Sequence, residues 1–421
     1  MKHLSSILCT LFLLSACAGS MERRLDDVRT AYRDGDYVAA AQQFAPRSDV
    51  SKLDNLELLI TADALFHAND FGASDAAYEE FNHRNLNLTD GDLGREAGVL
   101  LGGNMANSYR PFMMDALFVS YYQIWDALVM DRTADARVII NQSYDRQQNM
   151  SREYERLVQE TSEAAAENPD AANRVAVENS QWHAFRDIMN PALTYLSGIY
   201  FLNSGHFGDA KTYLKRANGM MPGNEFIKAD LNSAAAGQAP SGVAWIFIES
   251  GFAPKLREKR MDMPMPVGNS FTMVSLAVSE PVFAESGPHV DGAQLLTDVD
   301  ALFMTEYGEY RINETIRALT SAVSKVALQS GLYNSSSPYA GLMGLAATAY
   351  SMASTSAEVR TWATLPKYIY LLRVKKDKSG LIELKSGGNV IATVNASQSG
   401  NDLIYLRLGA GAYDAKVIKI K

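Results

Sequence analysis

The sequence predicts an α+β protein: a helical N-terminal half, then a mixed C-terminal domain with an antiparallel β-sheet and inserted helices. Three observations predict it. Between Met21 and about Ala236, Ala, Leu and aromatic residues recur at three- and four-residue steps, the period of helices with one apolar face. At Asn232–Gly242 a stretch of Ala, Gly, Ser and Pro breaks that period. From Val243 onward, short apolar or alternating runs separated by Gly, Ser and Asn take over, as strands and turns do. The expected division is a leader over 1–16, a helical domain over 17–236 and a linker over 237–242. An α/β domain with a helical insertion over 243–366 and a strand region over 367–421 complete it.

The chain has 421 residues, enough for two or three domains. It is 47% hydrophobic and 21% charged, a globular balance rather than a disordered one. Its net charge of −9 leaves no basic surplus to neutralise phosphates, which argues against nucleic acid as main partner. At the N-terminus Lys2 and His3 precede an apolar stretch, Leu4–Ala16. That stretch is shorter than the ~20 residues a membrane-spanning helix needs and suits a signal peptide. It ends in Leu14-Ser15-Ala16-Cys17. Basic start, apolar stretch and small residues before a Cys resemble the lipobox of bacterial lipoproteins. The resemblance implies cleavage before Cys17 and acylation of its thiol, so that the lipid bilayer is the first partner. Cys9 lies in the leader, so the mature chain would hold neither a free thiol nor a disulfide. Ala18 and Gly19 follow where a retention signal would place Asp, which implies the periplasmic face of the outer membrane.

Within the helical half, Tyr195-Leu196-Ser197-Gly198-Ile199-Tyr200-Phe201 is followed by Gly205, Phe207, Ala210, Leu214, Ala217 and Pro222. With Gly198 at position 8 of a 34-residue unit, Ala210 falls at 20, Ala217 at 27 and Pro222 at 32, as in a tetratricopeptide repeat. Weaker copies run through Ala62, Leu65, Phe71, Ser74, Tyr78 and Phe81, and through Val28, Gly35, Tyr37, Ala40 and Phe44. A degenerate copy passes through Asp126-Ala127-Leu128 and Ala134–Arg137. Such arrays leave a concave groove along the first helix of each pair. Arg29, Arg33, Asp63, His67, Tyr195 and Asn203 are the residues expected to line it. Between Asn141 and Asn168 the charges Arg152, Glu153, Arg156, Glu160 and Glu163 predict a long solvated helix, broken at Asn168-Pro169-Asp170.

In the second half, Val243–Ile248 and Ser270–Val278 read as strands, and the prolines of Met263-Pro264-Met265-Pro266 suit an edge strand. Lys255, Arg257, Lys259 and Arg260 read as a basic turn. Helices are expected over Ala293–Met304, Asn313–Ser330 and Ala340–Ala353. Five strands should follow: Tyr368–Val374, Leu381–Leu384, Val390–Val394, Leu403–Leu408 and Ala415–Ile420. Arg317 and Lys325 share one helix face. With Lys255, Arg360 and Trp362 they form a constellation able to hold an anionic group by charge and stacking; the reading preferred to it makes Trp362 a core plug and the basic residues a balance to an acidic surface.

Several segments together are similar to a family of uncharacterised proteobacterial lipoproteins with a tetratricopeptide-like N-terminal half. They are Cys17 with its lipobox, Ala134–Val138, Glu249 with Gly251, Ala253-Pro254-Lys255, Arg317-Ala318-Leu319, Lys325 and Arg360–Pro366. The resemblance implies an envelope protein, with genes neighbouring those of small lipoproteins that activate peptidoglycan synthases. Chemistry is not legible. The six His show no HExxH or zinc spacing, and no nucleophile elbow, S-x-x-K or Walker motif occurs. Asp298-Val299-Asp300 and Asp90-Gly91-Asp92 lack the Glu of a calcium loop. The expectation is therefore a non-enzymatic, lipid-anchored scaffold for a periplasmic or outer-membrane protein, without cofactor or metal. The alternative is an envelope hydrolase with a site between the halves.

Overall fold

The computed structural model describes residues 23–44, 50–85, 109–167, 169–180, 188–267, 270–333, 357–409 and 413–420. Cys17, the leader and the helix expected over Ala340–Ala353 lie outside the described residues.

The helical half begins with α1 over 23–34 and α2 (Tyr37–Gln42), followed by α3 (Asn55–His67) and α4 (Phe71–Arg84). Next come α5 (Met113–Val129), α6 (Thr133–Glu167), α7 (Pro169–Asn179), α8 (Pro191–Asn203), α9 (Phe207–Met220) and α10 (Glu225–Ala235). One turn recurs. Gly35, Asn69, Asp131 and Gly205 each hold positive φ between the helices of a pair: α1/α2, α3/α4, α5/α6 and α8/α9. The next N–H reaches back to a carbonyl five residues earlier, as from Asp36 to Ala31, Asp70 to Leu65, Arg132 to Ala127 and His206 to Phe201. This left-handed closure satisfies carbonyls that the first helix leaves open. The 34-residue spacing of Tyr37 and Phe71 is real at this level, because each is the first residue of a second helix. Gly198 lets α9 approach: a Cβ there would stand 2.8 Å from the Leu214 side chain. The charged stretch is α6, where Arg156 bonds Glu153 and Glu160 at 2.8 and 2.9 Å. Pro169 opens the next helix, as its fixed φ favours.

The second half holds β1 (Val243–Ser250), β2 (Lys255–Val267), β3 (Ser270–Val282), β4 (Gln294–Asp298) and α11 (Val299–Tyr333). It continues with β5 (Tyr368–Lys375), β6 (Leu381–Ser386), β7 (Asn389–Asn395), β8 (Asn401–Leu408) and β9 (Tyr413–Ile420). The main sheet has the order β4-β5-β1-β8-β9. It joins strands from both 243–366 and 367–421. It is antiparallel except that β1 and β8 run parallel. Two expectations are corrected. The helices expected over Ala293–Met304 and Asn313–Ser330 are one continuous helix, α11, which begins only at Val299, because Gln294–Asp298 pairs with β5 as an edge strand. The basic turn is instead strand β2, paired with β3 from Lys255 to Val267.

Every residue of β1 is buried, which explains its unbroken apolar run: both faces are covered. Trp245 and Phe247 face the helices and share their core with Trp125, Tyr195 and Tyr405. Ala244, Ile246 and Ile248 face the β6–β7 hairpin. The helical half and the sheet therefore share one apolar core. The short segment between them is tied down, since Asn401 Nδ2 donates to the Pro240 carbonyl at 2.6 Å.

Candidate functional site

The sheet register builds a polar row on the helix-facing side. Glu249 on β1 pairs with Arg407 on β8, and Arg407 pairs with Asp414 on β9. The next row is Phe247, Tyr405 and Lys416. Opposite lies the last turn of α3, where Asp63 and His67, four residues apart, share one face. The capping box of Asp54 and Glu57 fixes the start of that helix.

His67 joins the layers. Its Nδ1 lies 2.9 Å from Asp414 Oδ2 and its Nε2 lies 3.4 Å from Asp63 Oδ1. Burial opposes the imidazolium, but the bonds to Asp414 and Asp63 prevail and hold its pKa above the ordinary value. Tyr37 stacks on the ring at 4.8 Å. Asp63 Oδ2 accepts from Thr364 Oγ1 at 2.7 Å. Glu249 accepts from Arg407 at 2.9 Å, Tyr405 at 2.7 Å and Tyr122 at 3.2 Å. Arg407 also donates to the carbonyls of Gly251 and Thr364, at 3.1 and 2.9 Å. Burial works against the Arg407 charge, and Glu249 beside it more than offsets this. Gly251, at φ +72, is required here: a Cβ would stand 3.0 Å from Lys367 and 3.1 Å from the Gly287 amide.

A second polar centre binds Asp230 of α10 to Tyr195 Oη at 2.6 Å, Trp245 Nε1 at 2.8 Å and Arg373 Nε at 3.0 Å.

The structure thus places the six groove residues against the sheet or its connecting loops. Arg29 is buried, with its guanidinium 4.9 Å from the Phe252 ring, and burial with the charge of Arg33 lowers its pKa to about 10. Arg33 is exposed, 5.4 Å from the same ring. Asn203 accepts from Asn401 of β8 at 2.8 Å. Among the described residues the second constellation does not converge. Lys255 binds Asp26 of α1 at 2.9 Å. Arg360 is held by Glu358 at 2.6 Å. Trp362 is a core plug, 6.2 Å from Tyr78 and 6.1 Å from Tyr122. Arg317 is exposed on α11, and Lys325 lies further along that helix with its side chain outside the described residues.

An open feature exists elsewhere. α4, α5, α6 and α11 enclose a cleft of about 1370 Å³. Its α6 wall carries Asp145, Arg152, Glu153, Arg156 and Glu160. At one end Glu306 of α11 accepts from the Met113 amide at 2.6 Å, at the N-terminus of α5. Asp115 accepts there from the Phe112 amide at 2.9 Å and Tyr109 Oη at 2.8 Å. Burial pushes the Asp115 carboxyl up to about 7. Burial and then the neighbouring Asp115 push Glu306 up to about 8. Glu314 on the same helix accepts from Ser279 Oγ at 2.6 Å.

Sequence reasoning missed Arg407, Tyr405, Asp414, Tyr122 and Glu306 as polar groups of the interior. A usable signal was present: Glu249 ends the apolar run Val243–Ile248 and Arg407 interrupts the apolar run Leu403–Leu408, and a charge in a buried strand demands a partner. Among the described residues no group of His, Cys, Asp or Glu is arranged to hold a metal, and no helix is long and apolar enough to cross a membrane. No protein-family model, curated protein or solved structure matches the chain.

Proposed function

We propose that the protein is a non-enzymatic, lipid-anchored scaffold of the bacterial envelope. Cys17 is acylated and holds the body on the periplasmic face of the outer membrane. The tetratricopeptide-like helices present a binding surface to a protein partner, linked through the family resemblance to peptidoglycan synthesis. One observation carries the reading. The interior ionisable groups at the helix–sheet junction bind one another, whereas the cleft beside α6 presents its charges outward. A binding surface needs rigid support and solvated, addressable charge, and this arrangement supplies both.

The test places a photoreactive residue at Asn149, exposed on the cleft wall, and another at Glu225, exposed on α10. A defined adduct from position 149 and none from 225 is expected. Equal adducts from both, or none from either, overturn the reading. Separately, labelled palmitate should enter the wild type and not Cys17→Ser.

Glu306 favours a second reading, an envelope hydrolase acting in the cleft. It lines the cleft, and with its pKa raised to about 8 it holds a proton at neutral pH, as a general acid must. That reading requires release of soluble fragments from envelope polymer by the purified protein, and loss of that release in Glu306→Gln.

A further inference from the structure

Charge is not balanced where α1 meets the sheet connections. The carboxylates whose fields reach Arg29 are Asp26 and Asp300. Lys255 holds both oxygens of Asp26, at 2.9 and 3.1 Å, and Lys367 holds Asp300. Glu249, further in, is held by Arg407 at 2.9 Å. Each of these acids is committed to its own cation. Arg29 and Arg33, four residues apart on one face of α1, are left over. Neither side chain makes a hydrogen bond or an ion pair among the described residues.

Arg29 is only 4% exposed, and its Nε is sealed without an acceptor. A cation taken out of water without a partner keeps its desolvation cost. The Phe252 ring returns part of that cost through its π face. It cannot return all of it, because Arg29, Arg33 and Arg407 stand 4.9, 5.4 and 5.4 Å from that one ring. The ring is fixed from both sides: the Gly251 carbonyl accepts from Arg407 at 3.1 Å, and the Ala253 amide donates to Leu365 at 2.7 Å. Two unpaired guanidiniums therefore flank one small, rigid volume. Arg33 is exposed, so that volume is open to solvent.

We propose that Arg29 and Arg33 form an anion site beside Phe252 that takes a phosphate dianion, free or carried by a phosphomonoester headgroup. Charge counting selects the dianion. Two uncompensated cations need two negative charges, and a lone carboxylate would leave one guanidinium unpaired. Guanidinium forks also match phosphate oxygens two at a time, which a compact ammonium does not. The buried Arg29 supplies a fixed donor set, and the exposed Arg33 closes on the ligand from the solvent side. The site is separate from the cleft beside α6, and it stands whether or not the envelope reading does.

The experiment uses the full chain with Cys17→Ser, so that no attached lipid reaches the site. Calorimetric titration with inorganic phosphate at constant ionic strength should give a saturable one-site isotherm. Arg33→Gln should weaken it about tenfold with an unchanged Tm. Arg29→Met should abolish it and raise the Tm of the anion-free protein, since the unpaired buried charge is gone. Vesicles containing phosphatidic acid separate the two sources. Recruitment that Arg33→Gln removes, with no isotherm for inorganic phosphate, assigns the site to headgroups; an isotherm for inorganic phosphate assigns it to the free anion. The proposal is overturned if neither phosphate nor vesicles bind, or if acetate or succinate binds as tightly as phosphate. It is equally overturned if Arg33→Gln leaves binding unchanged, whatever Arg29→Met does to folding. Binding unchanged in Arg29→Met together with a lower Tm would make Arg29 a packing element against Phe252 and would also overturn it.

Discussion

Asp63, His67, Glu249 and Arg407 are at most 2% exposed and bond one another where the helices meet the sheet. Glu153, Arg156 and Glu160 on α6 make similar bonds, but their side chains are 28%, 51% and 53% exposed. Distances in the two sets are alike, and the consequences of breaking them are not. In the buried set, water cannot replace a lost partner, so each remaining charge keeps its desolvation cost. In the exposed set, water replaces the partner at once.

The largest expected effect follows from removing Arg407. Arg407→Ala leaves Glu249 with two phenol donors and no cation, and orphans the carbonyls of Gly251 and Thr364. Breaking a buried pair from one side costs about 3–5 kcal/mol. Urea unfolding should show that loss, and a loss below about 1 kcal/mol would mean the seam is hydrated. Arg407→Ala with Glu249→Gln should recover part of it, since the orphaned charge is then gone.

His67 ranks next. His67→Ala removes the bridge between Asp63 and Asp414 and opens the stack with Tyr37. The expected cost is about 2–4 kcal/mol near pH 6. The pH dependence has a fixed sign. The folded pKa is raised, so the contribution of the imidazolium is complete below the unfolded value of about 6.5. It is lost as pH rises through the folded value. The destabilisation by His67→Ala should therefore shrink at alkaline pH, read as converging midpoints. A cost that grows with pH would show that His67 is neutral in the fold.

Why the sequence reveals one region and not the other is physical. The repeated turns are local: Gly35, Asn69 and Gly205 sit where a left-handed residue must close a helix, and the 34-residue spacing from Tyr37 to Phe71 records it. Strands β5 to β9 were equally legible, because Gly and Ser turns punctuate them. Arg156 pairs within its own helix, so spacing alone finds it. Glu249 and Arg407 are 158 residues apart and meet only through the parallel β1–β8 register. Spacing along one helix cannot show that a sheet will cover the face carrying Asp63 and His67. Nor can propensity place β4, whose Gln294–Asp298 is strand only because β5 lies beside it.

The N-terminus of α5 lies between these extremes, since Glu306 is buried yet lines the cleft. Its carboxyl is raised to about 8 against about 4.5 unfolded. For an acid shifted upward, the unfolded chain ionises first as pH rises. Stability therefore falls between about pH 4.5 and 8 and is constant below that window. Glu306→Gln should match the wild type at pH 4, exceed it above pH 8, and flatten the slope between. Denaturant midpoints across that range check it. A variant that is weaker than wild type at neutral pH and converges with it in acid would mean that Glu306 is ionised and acts as an anionic cap on α5.

The smallest effect is expected at Arg156. Arg156→Ala removes both bonds to Glu153 and Glu160. Exposed pairs at these spacings are worth about 0.3–0.5 kcal/mol each, and Ala returns part of that through its helix propensity. Thermal stability should change by less than about 0.5 kcal/mol and less still at high salt, where screening removes the attraction. The same substitution alters the cleft wall that the scaffold reading uses. Loss of the Asn149 adduct with no shift in Tm would place the value of these charges in recognition. A fall in Tm as large as that of His67→Ala would mean instead that α6 depends on its surface pairs, and the contrast between the two regions would disappear.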